Sequence, residues 1–171
     1  PNRRGGFFYY ICTNTLAMTP YHIEQITTDK RAFMPLLLLA DEQESMIDRY
    51  LDRGEMFALI DQSQLTIAIA VVAHEDNHTL ELKNLVVVPS HQRKGYGRAM
   101  VEFICHHYSD RADTLLVGTG DSPHTISFYE SCGFSYSHTL PDFFTQNYDH
   151  PIIENGKLLR DMIYLKKVIS R

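Results

Sequence analysis

The chain has 171 residues, 44% of them hydrophobic, and a formal net charge of −5 at pH 7. That length and apolar content suit one domain with a proper core, and the negative balance argues against a broad electrostatic surface for nucleic acid. Three widely spaced cysteines, Cys12, Cys105 and Cys132, support neither a disulfide framework nor a zinc site.

Taken in chain order, residues 1–17 carry Arg3-Arg4 and then Phe7-Phe8-Tyr9-Tyr10-Ile11, an apolar patch too short for a signal peptide. They read as an N-terminal extension or added segment, with an extra strand as the alternative. The domain proper is expected over residues 18–171. Residues 21–27 alternate apolar and polar, as a first strand does. Residues 31–53 carry two helical pieces: Pro35 suits a first turn, and Met46, Ile47 and Tyr50 recur at helical spacing. Gly54 ends them. Residues 55–61, 64–74 and 79–88 then read as three successive strands joined by Asp61-Gln62-Ser63 and Glu75-Asp76-Asn77, turns tight enough for antiparallel neighbours. A helix over 98–108 sets Met100, Val101, Ile104, Cys105 and Tyr108 on one face. Residues 114–119 form a short buried strand. Ser122-Pro123 opens another helix as N-cap and first-position proline, and Gly133 closes it. Residues 134–139 and 158–166 are the closing strands. The sum is an α/β protein, a mixed sheet with helices on its faces. No apolar run approaches the roughly 18 residues of a membrane span. Cys105 and Cys132 read as buried apolar groups in a reducing compartment, which places the protein in the cytoplasm.

The most informative stretch is Gln92-Arg93-Lys94-Gly95-Tyr96-Gly97, between an apolar strand ending at Val88-Pro89 and a helix. Glycines allow close backbone approach, and a helix start offers unpaired amides and partial positive charge. Together they make a phosphate cradle. The triphosphatase loop is missing. The third glycine of the dinucleotide fingerprint falls on Met100, so that pattern fails too. The remaining Gln-x-x-Gly-x-Gly resembles the acyl-CoA loop of the GNAT superfamily of N-acyltransferases. Phe128-Tyr129-Glu130-Ser131-Cys132-Gly133-Phe134 resembles the family's second signature, in the right order and at the right distance.

The resemblance implies a GNAT fold with a mostly antiparallel sheet, a bulged and splayed central strand, and acetyl-CoA as acyl donor without a metal. A phase slip fits the bulge: apolar residues fall at Leu80 and Leu82, then at Leu85 and Val87. In the family the slot so opened takes the pantetheine arm. The backbone of Leu85, Val86 and Val87 would hold it, and the loop of Gln92, Arg93, Lys94, Gly95, Tyr96, Gly97 and Arg98 would hold the pyrophosphate. The family's pantetheine-contacting asparagine is missing, with Asp121 and Ser122 in its region. Ser122 is kept as a cofactor contact and, equally, as a plain helix cap.

Acyl transfer from a thioester needs a deprotonated amine, a proton donor for the thiolate and an N–H for the oxyanion. Tyr129 stands where the family commonly places a tyrosine near the sulfur, and a phenol stays protonated at neutral pH. Glu81 matches a position where several members carry a catalytic glutamate. Each also reads as an ordinary residue, Tyr129 as core and Glu81 as a solvent-facing strand residue. Residues 140–156 are long for a hairpin connection, and long loops are often functional. Their aromatics Phe143, Phe144 and Tyr148 and their acids suggest a pocket for a cation with an apolar body. His106 and His107 lack the i, i+4 spacing of helix-borne metal ligands. The expected function is direct acetyl transfer to a primary amine of a small molecule or peptide, by a monomer or homodimer without nucleic-acid or membrane partners. The alternative is a catalytically silent CoA-binding sensor or interaction module.

Overall fold

A computed structural model describes residues 20–170. The segment 1–17, read as an extension, lies outside those residues, as does Cys12. A seven-stranded sheet runs in the order β1-β2-β3-β4-β5-β9-β6. Its members are β1 (Tyr21–Ile26), β2 (Glu55–Asp61), β3 (Thr66–His74), β4 (Thr79–Val87), β5 (Thr114–Thr119), β6 (Ser135–Leu140) and β9 (Met162–Val168). Among the described residues only β4 and β5 pair in parallel; the other neighbours are antiparallel. This is the mixed, mostly antiparallel GNAT sheet that the sequence led us to expect.

Helices cover both faces. On one, α3 (Tyr96–Tyr108) and α4 (Pro123–Ser131) pack on Leu80, Leu82, Leu115 and Val117. Tyr96, Met100, Val101, Ile104 and Tyr108 of α3 are all 1% exposed or less, at the i, i+4, i+5, i+8 spacing of an amphipathic stripe. Each such aliphatic side chain contributes roughly 1.5–3 kcal/mol of burial. On the other face, α1 (Met34–Leu37) and α2 (Glu44–Leu51) bury Leu37, Ile47 and Leu51 against Met56, Ile69, Val71 and Val86. Strands buried on both faces lose the polar alternation of a half-exposed strand, which is why β3 reads as a continuous apolar run.

The closing region differs from expectation. The single strand read over 158–166 is interrupted. Lys157–Leu158 (β8) instead pairs with Ile153–Glu154 (β7) in a separate two-stranded hairpin, and β9 starts only at Met162. The break is held by Asp161, whose carboxylate accepts the Asp142 amide at 2.8 Å, and by Arg160, whose carbonyl accepts the Phe144 amide at 2.9 Å. The 140–156 loop is accordingly partly ordered, with α5 (Phe143–Asn147) inside it. Phe144, Ile152 and Leu159 form a small core of their own there.

Candidate active site

The site begins with one extra residue in β4. Val71 pairs with Asn84 and Val72 with Leu82, so Lys83 is left without a partner in β3. The inward phase therefore moves from Leu80 and Leu82 to Leu85 and Val87, all against the α3–α4 side. The parallel ladder to β5 stops at Leu82–Val117. Beyond it, Leu85, Val86 and Val87 stay paired to β3 but leave β5, and a cavity of about 440 Å³ fills the gap. Its walls are residues 82–87 of β4, residues 117–119 of β5 with Gly120 after them, Tyr129 and, across the opening, Asp41, Phe144 and Tyr148.

A second cavity, of about 550 Å³, lies over the glycine loop and shares Leu85, Val87, Gln92, Thr125 and Tyr129 with the first. Gly95 is the N-cap of α3 at φ 96°, a left-handed conformation that suits glycine. No side-chain hydrogen bond from that cap is made to the first-turn amides, an arrangement able to take an anion. Arg93, also left-handed at φ 60°, and Arg98 line this cavity. Arg98 is anchored: its guanidinium donates to the Ser131 carbonyl at 2.8 Å and hydroxyl at 2.9 Å, tying α3 to the end of α4. Lys94 donates to the Ser90 carbonyl, and Gln92 to the Val87 carbonyl at the lip of the slot. A Cβ on Gly97 would sit 3.3 Å from the Phe128 ring, so glycine lets α3 and α4 close on each other. Tyr96 turns its ring into the core, edge-on to Tyr21 and His91, leaving its backbone to the loop.

Tyr129 lines both cavities. A Schellman turn fixes it: Gly133 at φ 90° lets the Phe134 amide reach back to the Tyr129 carbonyl at 3.1 Å. Its ring packs on Phe128 and Phe134. Burial pushes the phenol well above its ordinary pKa, so it holds its proton at any physiological pH. Burial also raises the Cys132 thiol, which disfavours thiolate chemistry there.

Glu81 is 7% exposed and is not among the residues that line either cavity. One oxygen accepts Lys83 Nζ at 2.6 Å and the other accepts the Tyr164 hydroxyl at 3.1 Å. Ser122 does not cap α4 with its side chain. Its hydroxyl donates instead to Glu154 at 2.7 Å, 32 residues on, and lies outside both cavity linings. Phe144 and Tyr148 face the main cavity, while Phe143 packs behind them, 5.5 Å from the Phe144 ring.

Two groups escaped the sequence reading. Asp41, on the turn after α1, accepts the Tyr148 hydroxyl at 2.9 Å and the Tyr50 hydroxyl at 3.4 Å. Asn84 is 4% exposed and donates to the Leu37 carbonyl and to Tyr50, both at 3.1 Å. Its amide oxygen has no partner among the described residues. An orphaned buried acceptor costs roughly 1–3 kcal/mol, a cost typical of functional sites. Only the phase slip near Asn84 marked the region in advance. Among the described residues no cluster of metal-binding groups occurs, and no helix is long and apolar enough to cross a membrane.

The comparisons with known proteins agree with this geometry. The acetyltransferase (GNAT) domain model matches residues 52–136. The chain is 39% identical to the uncharacterized N-acetyltransferase YvbK of Bacillus subtilis (strain 168), over 76% of this chain and 84% of that one. A GNAT family acetyltransferase from Elizabethkingia anophelis, solved with acetyl-CoA bound, superposes with a TM-score of 0.82 at 31% identity, covering 86% of this chain and 97% of its own. A Bacillus subtilis acetyltransferase solved with CoA gives 0.77 at 35% identity, over 85% and 97%. The chain belongs to the GNAT family and is an acetyltransferase.

Proposed function

We propose that the protein transfers an acetyl group from acetyl-CoA directly to a primary amine that carries positive charge. One observation carries this reading. Two cavities share a wall that includes Tyr129: one lies over a glycine loop with basic neighbours, and the other is bordered by Asp41, Glu42 and Glu154. The relatives solved with acetyl-CoA and with CoA support the donor.

The residues present fit that donor. The α3 amides would take the pyrophosphate, with Arg93 beside it. The β4 backbone at Leu85, Val86 and Val87, released from β5, would pair with pantetheine as a further strand does. Bound acetyl-CoA brings an activated thioester, so no covalent enzyme intermediate is required. Tyr129 would give its proton to the departing thiolate, and a β4 amide would face the oxyanion. The carboxylates would favour the ammonium form on binding, while Phe144 and Tyr148 would cover the apolar body of the acceptor.

The test is a coupled thiol-release assay over a library of mono- and dicationic amines, amino acids and peptides, run beside calorimetric titration with acetyl-CoA. Release that depends on a cationic amine is the expected result. Tight CoA binding with no turnover across the library would instead establish the silent CoA-binding sensor.

A further inference from the structure

We infer that Asp41, rather than Glu81, accepts the proton from the acceptor's ammonium. The inference rests on the amine-acetylation reading above and names the base within it. Asp41 lines the cavity that Tyr129 and the bulged strand also line, whereas Glu81 lines neither cavity. Glu81 is already committed to Lys83 and Tyr164. Among the described residues no cation pairs with Asp41; its contacts are the two phenols and the Gln43 backbone N–H.

Those contacts hold the carboxylate still. Asn84 donates to Tyr50, Tyr50 donates to Asp41, and Tyr148 donates to it from the far side of the opening. The chain of bonds thus runs from the residue beside the bulge to the acid. The groups that bear on its titration are Tyr148 at the end of α5, the Gln43 backbone N–H, Tyr50 on α2 and the neighbouring Glu42. Lys83 of β4 lines the same cavity, but its ammonium is bound to Glu81 and Glu75. Burial is the largest influence and raises the Asp41 pKa, and the phenol bonds oppose it. A carboxylate raised in this way is a better base.

The step balances. An ammonium N–H bond breaks and its proton goes to Asp41. The freed lone pair forms the N–C bond at the thioester carbonyl. The C–S bond then breaks, and the thiolate takes the Tyr129 proton. The second amine proton, lost as the amide forms, restores the phenol, and Asp41 releases its proton to solvent. One proton leaves per turnover, as conversion of an ammonium and a thioester to an amide and a thiol requires.

The experiment measures kcat and both KM values against pH for wild type, Asp41→Asn, Glu81→Gln and Tyr148→Phe, with one amine found in the library assay. Asp41→Asn should lower kcat about 100-fold near pH 7, leave the acetyl-CoA KM unchanged and recover toward high pH, where free amine is abundant. Tyr148→Phe removes a bond that favours the carboxylate. The Asp41 pKa then rises, and the acid limb of kcat should move to higher pH. An Asp41→Asn variant with the wild-type kcat profile would overturn the inference, and loss of the acid limb in Glu81→Gln alone would return the base to Glu81. A rise in acceptor KM with kcat preserved would also overturn it, since Asp41 would then only anchor the cation. If wild-type protein acetylates no amine at all, the reading and the inference fall together, an outcome distinct from the others.

Discussion

On the proposed mechanism, the proton that the leaving thiolate takes comes from one hydroxyl, that of Tyr129. Its ring is core, packed on Phe128 and Phe134 and 7% exposed. Its hydroxyl makes no hydrogen bond among those the structure records. Tyr129→Phe therefore removes a proton donor without breaking a bond or opening a cavity. Turnover should fall roughly 100-fold, while acetyl-CoA affinity and melting temperature barely move, as steady-state kinetics, calorimetry and a thermal melt would show. A kcat within about twofold of wild type would make the tyrosine purely structural. Asp41 has the opposite character. Burial raises its pKa, so its folded value lies above the unfolded one. More protons are then bound in the folded state, and this group makes stability fall as pH rises through that interval.

At the scale of the element, β4 was the most legible part of the chain and the 140–161 segment the least. The bulge could be read because a strand's side chains alternate with period two, so one inserted residue, Lys83, displaces every apolar position beyond it. The glycine loop and the second signature were legible for a similar reason: each is local, and backbone geometry dictates its residues. Ser122 was not, because a serine before a proline looks like a cap whatever its hydroxyl finds, and here it finds Glu154. The contact from Tyr148 to Asp41 spans 107 positions and exists only once α5 has folded over the sheet. The same packing decides what Phe144 does. It is 8% exposed and shares a small core with Ile152 and Leu159 while facing the cavity. Phe144→Ala should raise the acceptor KM and also destabilise the protein by about 3 kcal/mol, the low end for a buried phenylalanine. The acetyl-CoA KM should stay constant in the same kinetic series. Loss of stability with an unchanged acceptor KM would make α5 a structural cover alone.

Across the whole molecule, the net charge of −5 conceals a division between the two cavities. Arg93 and Arg98 line the cavity over the glycine loop, and among the described residues no carboxylate does. Asp41, Glu42 and Glu154 border the chamber across β4, where Lys83, the one cation among the described lining residues, is bound to acids. An anionic donor and a cationic acceptor would thus approach opposite mouths, each attracted by its own and repelled by the other. Charge reversal at the exposed positions should separate the two. Arg93→Glu is expected to raise the acetyl-CoA KM roughly fivefold at low ionic strength and leave the acceptor KM alone, and Glu42→Lys should do the converse. Both effects should shrink as salt shortens the Debye length to about 8 Å near physiological ionic strength. An uncharged amine should be indifferent to Glu42→Lys under every condition. If that amine responds as strongly as a dicationic one, the substitution acts through the shape of the α1–α2 turn, and the carboxylates do not select the acceptor by charge.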